Sequence, residues 1–187
     1  MSQYNHIDVR GVKTISIRSR KSKVTPNDFA KPLSAAHASF KDFVDSLPHI
    51  LIADDLKSLV SDIVRSRKIK KPVIFMMGAH VIKVGLSPII IDLLHQGIIT
   101  HIAMNSAASI HDVETAMWGK TSEDVAVNLM DGTFGMSKET GDFINRALTK
   151  GMKESDEGYG ETLGKKLLAM KARNRTFSIL AVCYELG

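Results

Sequence analysis

An α/β fold with a parallel sheet and flanking helices is the class this sequence predicts, and three observations predict it. Residues 73–77 (VIFMM) and 98–104 (IITHIAM) are short, almost continuous apolar runs, the pattern of strands covered on both faces of a parallel sheet. Between them, Ser87-Pro88 opens a helix and Gly97 closes it, so the whole unit reads as βαβ in about 32 residues. The rest of the chain is a succession of helical patterns, which leaves the sheet few strands of its own. Parallel strands joined by a right-handed crossover follow from that order, and the fold is expected to be Rossmann-like.

The elements can be taken in chain order. Residues 7–17 read as an irregular or short-stranded start. Thr25-Pro26-Asn27-Asp28 supplies a capping residue, a proline at the first helical position and a carboxylate in the first turn, so a helix is expected from there to about Ser46. Pro48 interrupts it. The spacing of Leu51, Ile52, Leu56, Leu59, Val60, Ile63 and Val64 then predicts a second helix with one apolar stripe, ended by Pro72. After the strand at 73–77, residues 78–85 form a turn, residues 87–96 the crossover helix and 98–104 the second strand. Further helices are expected at 111–118, 122–130, 137–149, 157–170 and 176–186, with Asp131-Gly132 and Gly158-Tyr159-Gly160 as turns between them. One domain over residues 1–187 is expected: 1–72 as an arm with helices, 73–118 as the βαβ core and 119–187 as a helical segment. Two strands leave apolar sheet edges uncovered, so either residues 7–17 complete the sheet or further βα units belong to it. The second alternative is the expectation, with the domain truncated at its carboxyl end.

Composition narrows the classes. Apolar residues at 44% and charged residues at 24% make a globular chain rather than a disordered one. No apolar run approaches the roughly 20 residues that span a bilayer, and residues 1–10 are too polar for a signal peptide, so a cytoplasmic protein without membrane contact is expected. Cys183 stands alone, cannot form an internal disulfide, and reads as a small buried hydrophobe. The net charge of +5 comes mainly from residues 18–23 (RSRKSK) and 65–71 (RSRKIKK). Neither run is interleaved with aromatics, and the second falls where a helix ends and its dipole favours cations. A solvated surface is therefore expected in preference to a nucleic-acid partner.

Ligands of open parallel sheets bind beyond the carboxyl ends of the strands, where helix amino termini point outward. The loops there are residues 78–85 and 105–112. Both are rich in small residues, which let a backbone approach a ribose or phosphate, and Asn105, Ser106 and Ser109 add neutral hydrogen-bonding groups. The alternative is that the small residues only permit tight turns, since neither GxGxxG nor GxxxxGK[ST] occurs. His80, His101 and His111 lack a metal-ligand spacing, and no metal is expected. His111-Asp112-Val113-Glu114 sets an imidazole and two carboxylates beside these loops, where the acids serve either a helix dipole or a substrate.

The stretch 73–117, VIFMMGAHVIKVGLSPIIIDLLHQGIITHIAMNSAASIHDVETAM, resembles the segment of deoxyhypusine synthase in which two strands and their loops contact the nucleotide. Through GAHVIKVGLSP, IHDVE, KTSEDV and DGTFGMSKET the chain is still more similar to bacterial deoxyhypusine-synthase-like proteins, over at least residues 73–140. The resemblance implies NAD as cofactor, with Ala79, His80, Val81, Ile82 and Lys83 in its first contact loop and Asn105, Ser106 and Ala107 in its second. The parent enzymes oxidise spermidine, form an imine on a lysine and transfer the aminobutyl group to a lysine of a translation factor. They hold the polyamine with two neighbouring glutamates, where this chain has Ile110 and His111; Asp112 matches the acidic residue that follows. Ser106, Ala108 and Ser109 stand in a turn the family builds with glycine. His111, Asp112 and Glu114 are the substrate-contact positions implied. The imine-forming lysine lies in a later portion of the family's chain, and no catalytic residue is assigned. Two functions are expected from this: an NAD-dependent transferase or oxidoreductase acting on an amine-type substrate, or a non-catalytic nucleotide- or metabolite-binding protein. The family's tetrameric habit implies a homo-oligomer.

Overall fold

The computed structural model describes residue 4 and residues 7–33, 38–154 and 156–187. The fold is mixed α/β, mostly helical, with a small two-stranded parallel sheet. The chain divides into two compact units, Met1–Ser61 and Asp62–Gly187.

In the first unit residues 7–24 form neither helix nor strand, so this stretch adds nothing to the sheet. The helix expected from Thr25 is only a 3-10 turn, Pro26–Asp28, and its cap forms by half: the Thr25 amide donates to Asp28 Oδ2 at 2.8 Å, while the Thr25 hydroxyl donates to the same carboxylate instead of accepting from the backbone. The backbone turns extended at Phe29, and Pro32 explains why it stays so, because a proline disfavours helix at the residue before it and has no N–H to give. Residues 34–37, inside the expected helix, lie outside the described residues. Helix resumes as α1, Phe40–Ser46, with a capping box between Ser39 and Asp42. The helix α2, Leu51–Lys68, ends with Arg65, Arg67 and Lys68 in its last turn, where cations meet the negative end of the dipole. Its apolar stripe has the expected period, yet none of its residues is buried.

The second unit holds the sheet. Strands β1 (Ile74–Met77) and β2 (His101–Met104) pair in parallel, with Ile74 beside His101 and Met77 beside Met104. The turn between residues 78 and 85 contains a short helix, α3 (His80–Lys83), and the crossover is α4 (Ser87–His95). Gly97 closes that crossover in the left-handed region, φ 63°, as its position predicts. Then come α5 (Ser106–Trp118), α6 (Val125–Asp131), α7 (Lys138–Glu154) and α8 (Tyr159–Ala169). A 3-10 turn at Arg175–Phe177 precedes α9 (Ile179–Leu186), so the last expected helix is divided in two at Ser178, the cap of α9.

Two apolar clusters make the core. One joins Val113 and Ala116 of α5, Ile144 of α7, Leu163 and Leu167 of α8, and Leu180 of α9. The other joins Ile82, the α4 residues Ile90, Ile91 and Leu94, Ala108, and Ile179 and Val182 of α9. The sheet gives Phe75, Met77, Ile102 and Met104 to that second cluster. Its other face is open: Ile74 is 59% and Met76 79% exposed. The coverage on both faces expected of β1 is therefore corrected to one face, because a continuous apolar run fixes strand character but not the presence of a second layer.

Helices α8 and α9 cross closely. A β-carbon at Gly164 would lie 2.3 Å from the Leu180 carbonyl oxygen and 2.9 Å from Tyr184 Cβ, so the crossing requires hydrogen at that position.

Candidate functional site

Because β1 and β2 are in register, the loops that leave them emerge side by side. A β-carbon at Gly78 would lie 3.9 Å from Asn105 Nδ2, which measures how near the two loops come. Asn105 caps α5, its Oδ1 accepting from the Ala108 amide at 3.0 Å, so α5 begins five residues before the start expected at His111. The side-chain oxygen is used in the turn, and Nδ2 remains as a donor. The Ser106 and Ala107 amides, in the first turn, have no carbonyl within the helix to bond.

The predicted nucleotide contacts divide by orientation. His80 and Lys83 of the first loop, and Asn105, Ser106 and Ala107 of the second, are exposed. Ile82 is not: it is 4% exposed and packs in the core, with Ala79 and Val81 half-buried against the same cluster. The helical turn of α3 causes this, since consecutive residues there point in different directions rather than lining one edge. Ser109 is likewise turned inward. Its hydroxyl donates to the Ser106 carbonyl at 2.7 Å, and Tyr159 Oη, 2.7 Å away, supplies the other bond from α8.

The three predicted substrate contacts also separate. Asp112 is wholly buried and caps α9: Oδ2 accepts from Ser178 Oγ at 2.5 Å and from the Leu180 amide at 3.2 Å, and Oδ1 from the Ile179 amide at 2.8 Å. Burial pushes its carboxyl up to about 6, against the lowering effect of those three bonds. It serves a helix terminus, but that of α9 rather than of α5. His111 and Glu114 face the other way. Thr121 Oγ1 donates to Glu114 Oε2 at 2.5 Å and lies 2.6 Å from His111 Nδ1, while Thr140 Oγ1 donates to Glu114 Oε1 at 3.0 Å. His111 and Glu114 are 19% and 16% exposed at the side chain. Thr121 and Thr140 carry no sequence signal of a site role by themselves, although they stand in KTSEDV and DGTFGMSKET.

Burial, with the negative charge of Asp112 adding to it, pushes the Cys183 thiol up to about 11, so it is a poor nucleophile at neutral pH. A shallow groove of about 380 Å³ lined by Asn145, Arg146, Thr149, Lys150 and Lys153 runs along α7, on an element that carries none of the predicted nucleotide contacts. Among the described residues no three His, Cys, Asp or Glu side chains gather to hold a metal ion, and no helix is long and apolar enough to cross a membrane.

No family model matches the chain, and no curated protein or solved structure matches it either.

Proposed function

We propose that this chain is a deoxyhypusine-synthase-like protein with a Rossmann-like nucleotide-binding core, and that it binds NAD where the loops leaving β1 and β2 meet. The observation that carries the proposal is the adjacency of Gly78 and Asn105 at the carboxyl ends of two parallel strands, with α5 opening at that point. The residues fit a dinucleotide. Lys83 offers a cation for a phosphate, Asn105 Nδ2 and the Ser106 hydroxyl offer donors, and the first-turn amides of α5 add fixed N–H groups. When bound, the nicotinamide would supply hydride-transfer chemistry to an amine-type substrate. The chain's own part is to cradle the nucleotide by backbone and to orient the ribose and phosphates. Within this reading the protein is a homo-oligomer in the cytoplasm, with a small-molecule ligand rather than a nucleic acid as its partner.

A second reading, a non-catalytic nucleotide or metabolite binder, is favoured by Asp112. Its carboxylate is consumed by three donors inside the protein, and a desolvated ammonium needs an anion that is free to meet it.

Titration calorimetry with NAD on wild type, Lys83→Ala and Asn105→Ala tests the nucleotide reading. Loss of a hydrogen bond to a charged group costs about 1.5–3 kcal/mol, so Lys83→Ala should bind roughly ten- to a hundredfold more weakly. Equal binding by all three proteins removes these residues from the site, and no binding by wild type removes NAD.

A further inference from the structure

The open flank of α5 carries an arrangement that nucleotide binding does not use. Glu114 is held on both oxygens by hydroxyl donors, Thr121 on one and Thr140 on the other. Thr121 comes from the chain just after α5, brought back toward the helix by Gly119, which ends α5 at φ 68°. A threonine hydroxyl has a single proton, and that of Thr121 is given to Glu114 Oε2. Its 2.6 Å contact with His111 Nδ1 must then use an Nδ1–H as donor. The neutral imidazole is therefore held as the Nδ1–H tautomer, with its lone pair on Nε2. Among the described residues Nε2 has no hydrogen-bond partner and no buried side-chain nitrogen or oxygen lacks one, so Nε2 is not sealed from solvent.

We infer that His111 is a proton-accepting residue, with Nε2 the accepting atom and Thr121, Glu114 and Thr140 its positioning residues. The group it takes is a hydroxyl or ammonium of a small polar ligand. The O–H or N–H bond of that group breaks, its electron pair stays on the ligand, and a new N–H bond forms at Nε2. The positive charge left on the imidazolium faces Glu114, whose Oε2 is 3.6 Å from Nδ1, and is linked to it through Thr121. This is the base-and-orienting-acid logic of general base catalysis, with a hydroxyl inserted between the two. His111 follows Ala107 by one helical turn on the same side of α5, about 6 Å along its axis. The inference stands apart from the nucleotide reading, since its tests read the imidazole with no nucleotide present.

The test is ¹⁵N NMR of the full chain with labelled histidine at neutral pH, in which the two ring nitrogens report the tautomer. Wild type is expected to show His111 predominantly as Nδ1–H, Thr121→Val to move it to predominantly Nε2–H, and Thr121→Ser to restore the wild-type state. Acylation by diethyl pyrocarbonate, mapped by mass spectrometry, is expected to modify His111 together with the exposed His80 and His95. A wild-type Nε2–H tautomer, a tautomer unmoved in folded Thr121→Val, or an unreactive His111 beside a reactive His80 each overturns the inference. Should Thr121→Val fail to fold, the wild-type tautomer and its acylation still decide.

Discussion

Asp112 and Glu114 stand two residues apart on α5 and end in opposite surroundings. Asp112 faces the core and is bonded by a hydroxyl and two amides from the start of α9, while Glu114 faces the loop after α5 and the first turns of α7 and, among the described residues, accepts from two hydroxyls. Two positions along a helix are about 200° apart, so neighbouring acids need not share a task. One carboxylate joins α5 to α9 and holds the fold; the other, half-buried, orients an imidazole. A pattern of the form His-Asp-x-Glu does not separate these roles, because the helix has to be placed between its neighbours first.

The largest expected effect comes from removing the inward acid. Asp112→Ala orphans the Ser178 hydroxyl and the Ile179 and Leu180 amides, and should cost about 3–5 kcal/mol in urea unfolding. A loss under about 1 kcal/mol would erase the contrast with Glu114.

The pH dependence of stability sharpens the same contrast. The folded-state value of Asp112, about 6, lies above its ordinary 3.8, so between these values the folded protein holds a proton the unfolded chain has released. The stability this group contributes is complete below about pH 4 and is lost as pH rises through 6, on the order of 3 kcal/mol in all. Asp112→Asn should flatten this part of the profile; an unchanged slope in that variant would assign it to other groups.

Gly164→Ala probes the packing that Asp112 braces. Alanine gains up to about 1 kcal/mol of helix propensity, but its β-carbon would run into the Leu180 carbonyl, and the net cost should be about 1–3 kcal/mol by thermal or urea unfolding. Neutral behaviour would mean that α8 and α9 cross less tightly than described. Smallest of all is Glu114→Gln, which keeps an oxygen for one threonine and should cost under about 1 kcal/mol. A cost equal to that of Asp112→Ala would make Glu114 a structural acid as well.

What was legible in the sequence follows the reach of the forces involved. The two strands, their parallel order and the Gly97 closure rest on local pattern and stand in the structure, although the second strand begins at His101 rather than at residue 98. Of the helix expected over residues 25–46, a 3-10 turn at Pro26–Asp28 and α1 from Phe40 form, and Pro32 is the local signal against helix between them. Asn105 is a cap by residue type, yet the small residues after it read as loop, which moved the start of α5 to His111. The site was legible as two neighbouring loops, not as orientations: Ile82 and Asp112 sit in those stretches and both point inward. The partners of Asp112 are 66 to 68 residues away, so nothing near it in sequence could reveal its role. The open face of β1 was illegible for the same reason, since coverage depends on elements remote in the chain.

The most direct test of the proposed site is an amide chemical-shift titration of the full chain with NAD. The largest shifts are expected at Gly78, Lys83, Asn105, Ser106 and Ala107, with α9 little changed because Asp112 and its partners take no part. Shifts confined to the α7 groove at Asn145–Lys153, or none at saturating NAD, would contradict it.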